Sequence, residues 1–311
     1  MAKRWLVGVA VVLGTVTLGW LLFGPFIDWV TGDDLDRLGP KERIDAVTSI
    51  RGQITTLLGS AVVVGTLVYT ARKYALDRDK QVTDRFNAAV SHLGSDDPTV
   101  RAGGVRALER ILADSPGDHV RVVRTLADFL RQHTRDDADA YDRGDVQAAV
   151  TAQRDRPRRR NEPPLDLRGV KLQGADLRGC RLSGADLGRT DLTNTDLTDV
   201  HADGANLDGA TIAAAVAKNV SLRGARMTSA VLTGIDLRDA DLTDANLRGA
   251  RLQAATLAGA TLTGADLVDT DLCGVDLTGV HGLTSKQLRL AKTDARTRVP
   301  TGIDHPMDGP K

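Results

Sequence analysis

The chain has 311 residues, of which 41 are Lys or Arg and 41 are Asp or Glu, so the formal net charge is zero and the strongly basic balance of a nucleic-acid binder is absent. It contains four Phe, three Trp and three Tyr, and none of them follows Tyr141. The second half must therefore bury its surface without aromatic side chains. Cys180 and Cys273 are the only cysteines, too few for a disulfide scaffold or a cysteine metal cluster, and they fit a reducing compartment.

Trp5 to Ile27 is a run of 23 residues without a charge, longer than the roughly 20 that cross a hydrocarbon core. It is expected to span a membrane. A cleaved signal peptide is the competing reading, but the run is longer than a signal core and no small-x-small site follows it. A second uncharged run, Gly52 to Ala71, has 20 residues and ends at Arg72 and Lys73. Trp5, Trp20, Trp29, Tyr69 and Tyr74 fall near the ends of the two runs, as interfacial aromatic belts do. Lys3, Arg4, Arg72, Lys73, Arg78, Lys80 and Arg85 flank the pair, whereas the intervening loop 28–51 holds four basic and six acidic residues. Both termini are expected in the cytoplasm, at the cell membrane, with residues 1–75 forming a two-span hairpin in the bilayer. Neither span carries a charged side chain, so an ion path is not expected.

Val82, Phe86, Ala89, Val90 and Leu93 recur at helical spacing before Gly94, a pattern that could continue the membrane helix into the cytoplasm. Asp97 and Pro98 read as a helix start, with Val105, Leu108, Ile111 and Leu112 on one face until Ser115 and Pro116. A further helix from Asp118 carries Val122, Val123, Leu126, Phe129 and Leu130. Residues 76–134 are thus expected to form a small cytoplasmic helical domain. Residues 135–164 are polar, with a short helix at Asp145 to Ala152 and the cluster Arg154, Arg156, Arg158, Arg159 and Arg160. Clustered guanidinium groups can bind phosphate, but without aromatic interleaving the expected role is a solvated linker.

From Leu165 to Gly279 the chain repeats every five residues for 23 units without an insertion. The central position is Leu, Ile or Met in 21 of them, Ala202 and Ala217 being the exceptions, and two positions earlier Ala stands in 13. Five fits neither a helix nor an ordinary strand, so the chain must turn a corner in every unit and stack large and small side chains inside a solenoid. Glycines such as Gly169, Gly174 and Gly179 close many units, as tight corners require. The stretch Val200 to Gly234 follows the pattern least well, with His201, Thr211, Val216, Ser221 and Val231 where Asp or Asn is usual. Looser coils are expected there, with a recognition patch as the alternative.

Ala175-Asp176-Leu177-Arg178-Gly179 and Ala245-Asn246-Leu247-Arg248-Gly249 resemble the A-(D/N)-L-x-x units of the pentapeptide-repeat family. The resemblance implies a right-handed quadrilateral β-helix over residues 165–280, four units to a coil. Nearly six coils at ~4.8 Å spacing would make a rod about 27 Å long. Residues 281–311 leave the repeat and are expected to supply a cap, with a short helix around Ser285 to Lys292, and a tail. The expected fold class is α + β-solenoid: two transmembrane helices, a small helical domain and the β-helix.

No catalytic, cofactor-binding or metal-ligating residue is assigned. The aspartates at one fixed place in the unit, such as Asp166, Asp176, Asp186 and Asp191, read as corner residues. Four-fold geometry puts Cys180 and Cys273 on different faces, and separates His201 from His281 by four coils, roughly 19 Å at strand spacing. Asp118, His119 and His133 are the candidates for a catalytic cluster, and a helix cap with neighbouring surface histidines is the simpler reading. The resemblance also raises DNA mimicry towards topoisomerases. Between Leu165 and Val280, however, 16 aspartates face 11 basic residues, whereas DNA carries a charge every ~1.7 Å. The expected function is a membrane-anchored, non-catalytic scaffold that binds unidentified protein partners, with no cofactor. A membrane signalling relay through the outer loop and a DNA mimic are the alternatives.

Overall fold

The computed structural model describes residues 39–134, 143–157, 159 and 162–304, together with Gly14, Thr17 and Gly19. The chain divides into two compact units, Met1–Lys80 and Gln81–Lys311. The first expected span, 5–27, lies outside the described residues except for Gly14, Thr17 and Gly19, which are helical.

Helix α1 runs Pro40–Leu93, 54 residues. Proline suits the first turn, where its missing N–H has no partner anyway, and Gly39 N donates to Glu42 Oε2 at 3.2 Å. Residues 40–51, expected in a loop, are therefore helical, since only isolated glycines interrupt the sequence before Gly94. Within α1 an 18-residue window has a mean hydropathy of 1.7, long and apolar enough to cross a membrane, and none of it is buried. It is the one such helix among the described residues. Its hydroxyls are satisfied internally: Thr55 donates to Arg51 O at 2.7 Å, Thr66 to Val62 O at 2.8 Å and Thr70 to Thr66 O at 2.8 Å. Apolar surroundings would otherwise penalise such groups.

The second unit starts with the last turns of α1, whose Phe86, Ala89 and Leu93 are buried. Helix α2 (Pro98–Asp114) opens on Asp97, whose side chain accepts from Thr99 N. A short 3-10 turn, Pro116–Asp118, leads into α3 (His119–Thr134). Gly104 of α2 sits where a Cβ would come within 2.8 Å of Ala89 O, so only glycine lets the two backbones approach. Helix α4 (Gly144–Arg154) buries Val146, Ala149, Val150 and Ala152 and packs mainly against α2. The short helix expected at 145–152 is thus present, and over 144–154 it is packed rather than solvated: α4 completes the helical core. Its anchor is Asp145, fully buried, which accepts from Arg101 Nε at 2.6 Å while the same guanidinium caps Ser95 O and Asp96 O.

From Asp166 the backbone forms four parallel ladders of bridges, each residue pairing with the one 20 positions on, from Asp166↔Asp186 to Thr261↔His281. Four five-residue units thus make one coil. Each straight segment is a single bridge residue, so regular strands do not form among the described residues, a difference from the sheets that the word β-helix suggests. Corners close by hydrogen bonds such as Val170 N to Leu167 O at 3.2 Å. Every unit end from Gly169 to Gly274 has φ between +54° and +75°, the positive φ that marks a type II turn. Leu and Ala ladders fill the interior, each buried Leu contributing roughly 1.5–3 kcal/mol. Thr190, Thr195 and Thr270 are also buried there, and each hydroxyl donates to a main-chain carbonyl, of Leu187, Leu192 and Leu247 respectively.

Helix α5 (Ser285–Leu288) follows the array and is shorter than the helix expected over 285–292. Its capping box joins Thr284 and Gln287, and Gln287 Nε2 reaches down to Leu262 O at 2.9 Å and Ala265 O at 3.0 Å. Leu288 is fully buried. Pairing then resumes at Asp271↔Lys292 and Asp276↔Arg298. The C-terminal segment therefore extends the ladders as well as covering them.

Candidate functional site

The aspartates at the bridge position are spent on the backbone. Asp166, Asp176 and Asp196 each accept from the amide two residues on, at 3.3, 3.1 and 3.0 Å. Asp186, Asp191, Asp241, Asp266, Asp271 and Asp276 do the same. These Asx turns fix the corners. Where Ser221 and Arg226 replace Asp or Asn, the coil beneath supplies the missing acceptor. Asp203 Oδ1 takes Arg223 N at 3.1 Å, and Asp208 Oδ1 takes Thr228 N at 2.9 Å.

Arginines neutralise much of the remaining acidity. Arg168 donates to Asp166, Arg178 to Asp176 and Arg238 to Asp236, while Arg223 reaches Asp241 at 2.8 Å and Arg226 reaches Asp208 at 2.5 Å. Hydrogen bonds from Arg168, and the nearby Arg131, hold the Asp166 carboxyl at about 2 against the opposing effect of burial. Asp176 is likewise held at about 2, first by Arg178 and also by Arg154.

The helices close the first coil of the array. Thr134, fully buried at the end of α3, accepts from Lys171 N at 3.2 Å. Arg131 is paired with Asp166, and Arg154 Nη1 donates to Asp176 Oδ2 at 2.8 Å. Arg156, 6% exposed, donates to Gln153 O, to Glu162 Oε1 at 2.5 Å and to Arg181 O at 2.8 Å. Thr134 and Arg156 take up backbone positions that a preceding coil would otherwise satisfy, which protects an open sheet edge. Two members of the arginine run are therefore structural. Their sequence signal, clustered charge, was visible; their partners lie in other elements.

Beside this junction a cleft of about 470 Å³ is lined by Arg156, Arg159, Glu162, Arg181, His201 and Asp203, among others. It offers both signs of charge and a proline wall, Pro163 and Pro164. Such a surface suits polar recognition.

The residues singled out for chemistry do not converge. Asp118 accepts from Ser115 Oγ at 2.7 Å as part of the turn before α3. His119 is buried with Nε2 3.3 Å from Glu162 Oε1, and so is not the surface residue expected. His133, at the far end of α3, lies 3.0 Å from Phe129 O and stacks on the Phe129 ring. Fourteen residues of helix separate the two histidines, about 21 Å at the helical rise. His201 and His281 share one ladder four steps apart. Burial pushes the Cys180 thiol up to about 12, away from reactivity. Among the described residues no group of three or more His, Cys, Asp or Glu could hold a metal ion.

The sequence profile described as "Pentapeptide repeats (8 copies)" matches residues 166–199, 205–244 and 240–279. Among solved structures, a pentapeptide repeat protein (Rfr23) from the cyanobacterium Cyanothece 51142 is 26% identical, covering 40% of this chain and 90% of its own, with a TM-score of 0.27. HetL from Nostoc sp. strain PCC 7120, a pentapeptide repeat protein involved in heterocyst differentiation regulation, is 25% identical over 45% of this chain and 72% of its own, with a TM-score of 0.27. QnrB1, a plasmid-mediated fluoroquinolone resistance protein, is 20% identical over 45% and 74%, with a TM-score of 0.24. No curated protein matches the chain. The profile match and the constant 20-residue pairing identify residues 166–279 as an array of pentapeptide repeats.

Proposed function

We propose that the protein is a membrane-anchored, non-catalytic scaffold whose right-handed pentapeptide-repeat β-helix presents one lateral surface to protein partners. The observation that carries this reading is the closure of both ends of the array, by Arg156 and Thr134 at one end and by Gln287 and Leu288 at the other. Only the sides remain for contact. On one face of the middle coils the outward residues Thr211, Ala213, Val231 and Thr233 carry no charge, and Val216, 37% exposed, extends this patch around the corner onto the ladder of Asp196 and Asp236. Loss of charge at the centre of a patch is the compositional mark of a binding surface. Elsewhere on the array, arginine-neutralised aspartates speak against a DNA-like field.

The anchoring half of the reading rests on the exposed apolar stretch of α1 and on the uncharged run 5–27. Two spans with both termini in the cytoplasm put Gly39 on the outer side. An introduced cysteine at position 39 should then react with an impermeant maleimide added to intact cells, and one at position 302 should not. Reaction at both sites, or at neither, would reject this topology.

Partner binding is tested by proximity labelling in the native cell with a tag at the C-terminus. The full chain is compared with the double variant Ala213→Arg, Val216→Arg. Loss of a defined set of labelled proteins supports the scaffold. Identical sets would remove this surface and favour a relay through the membrane helices.

A further inference from the structure

Arg85 on α1 and Arg106 and Arg110 on α2 line a groove of about 490 Å³, together with Val82, Ala107, Ile111, Asp114 and Ser115. All of these residues belong to the second compact unit. Most arginines of the array are tied to carboxylates, as are Arg101, Arg131, Arg154 and Arg156 in the helical domain. The three groove arginines are not tied in this way, and neither are the exposed Arg124, Arg189 and Arg251; what sets the groove apart is that three such groups line one concavity. Among the described residues none of their guanidinium groups makes a hydrogen bond or an ion pair, although Asp114 lines the same groove. Arg106 and Arg110 stand one turn apart on the same helix face, about 5–6 Å between Cβ atoms, a like-charge spacing that costs an isolated helix a few tenths of a kcal/mol.

Three unpaired guanidinium groups against one carboxylate make the groove a cationic site, and planar guanidinium forks match phosphate oxygens. The floor is apolar, formed by Val82, Ala107 and Ile111. The volume lies within the ~300–1,000 Å³ usual for small-molecule sites and far exceeds a bare anion. We propose that this groove binds the phosphate group of an organic phosphate ester, with the arginines on the phosphate and the organic body against Val82 and Ile111. The ester could be free in solution or the headgroup of an anionic phospholipid. Only the second source rests on the membrane reading above.

The test is hydrogen exchange on the full chain with two probes. One is glycerol 3-phosphate added to the protein in a neutral detergent. The other is a nanodisc of phosphatidylcholine containing 30% phosphatidylglycerol, compared with phosphatidylcholine alone. Slower exchange over residues 82–86 and 106–115 is expected with at least one probe, and at least a tenfold weaker response in Arg106→Gln, Arg110→Gln. Protection by glycerol 3-phosphate identifies a free ester, and protection only in the anionic nanodisc identifies the lipid. Because the two arginines are exposed and unpaired, the variant should keep its helical circular dichroism and melting temperature. Arg106→Lys, Arg110→Lys should retain part of the response. No protection with either probe, undiminished protection in the glutamine variant, or equal protection by hexaglutamate would overturn the proposal.

Discussion

Arg156 Nη2 donates to the carbonyl of Arg181 at 2.8 Å, and Arg181 Nη2 returns a bond to the carbonyl of Arg156 at 2.6 Å. This reciprocal clasp joins the segment after α4 to the fourth repeat unit. Arg156 supplies a donor to a carbonyl of the first coil, while its Nε holds Glu162. Removing the guanidinium would leave Glu162 and two main-chain carbonyls short of partners in a buried setting. Arg156→Ala is expected to cost about 3 kcal/mol, within the range for breaking a buried ion pair. Arg156→Lys should recover little, because one ammonium cannot span three acceptors. Urea unfolding with hydrogen exchange over residues 144–182 checks both, and a cost below about 1 kcal/mol for Arg156→Ala would mean that the clasp is dispensable.

The clasp marks the limit of what the sequence makes legible. The five-residue period gives the four-fold coil without ambiguity, since one register serves all 20 bridges from Asp166 to Thr261. The helical faces of α2 and α3 are equally plain from their spacing. The arginine cluster is not, because the partners of Arg154 and Arg156 are Asp176 and the Arg181 carbonyl, 22 and 25 residues further on. A charge run looks the same whether solvated or docked. The compensation by Asp203 and Asp208 was hidden for a similar reason: it acts across 20 residues, between coils. The groove of Arg85, Arg106 and Arg110 becomes visible only when two helices are packed side by side.

Ala202 and Ala217 occupy central positions where the other units place Leu, Ile or Met. An apolar cavity of about 30 Å³ lies at this level, lined by both alanines with Leu182, Leu197, Leu222 and Leu237 above and below them. Part of the added volume of Ala217→Val should fill it, stabilising the array by about 1 kcal/mol through two buried methyl groups less some strain. Leu242→Ala, at a fully buried side chain outside the lining of this cavity, should cost about 2–5 kcal/mol. Thermal unfolding followed by circular dichroism reads both. A lower melting temperature for Ala217→Val would show that the coils cannot accommodate the extra volume.

Acid should act on the junction before it acts on the middle coils. Asp166 and Asp176 are held at about 2 in the folded chain, below the ~3.9 of an unfolded aspartate. A depressed carboxyl contributes stability that is fully present above the unfolded value and is lost as pH falls through the folded one. Stability should thus be flat from pH 7 to about 5 and decline between about 4 and 2. Because Arg131 and Arg154 reach these two carboxylates from the helices, exchange should rise in α3 and α4 before it rises in the middle coils. Asp176→Asn should flatten the acid slope. An unchanged slope in that variant would assign the acid sensitivity elsewhere.

Corner residues permit a paired test of backbone strain. Ala254 sits at φ +59° and Gly264 at φ +69° in equivalent corners. The left-handed region costs a residue with a Cβ roughly 1–2 kcal/mol, partly offset by the greater freedom glycine has in the unfolded chain. Ala254→Gly should therefore stabilise by only about 0.5 kcal/mol. Gly264→Ala combines the full penalty with a steric one, because the new Cβ would collide with Asp244 Oδ1 of the coil below. The carboxylate can swing away, so the expected loss is about 2 kcal/mol rather than unfolding. If both variants shift stability by the same small amount, backbone conformation alone sets these corners and the contact between coils adds nothing. A much larger loss for Gly264→Ala would show that Asp244 is locked in place.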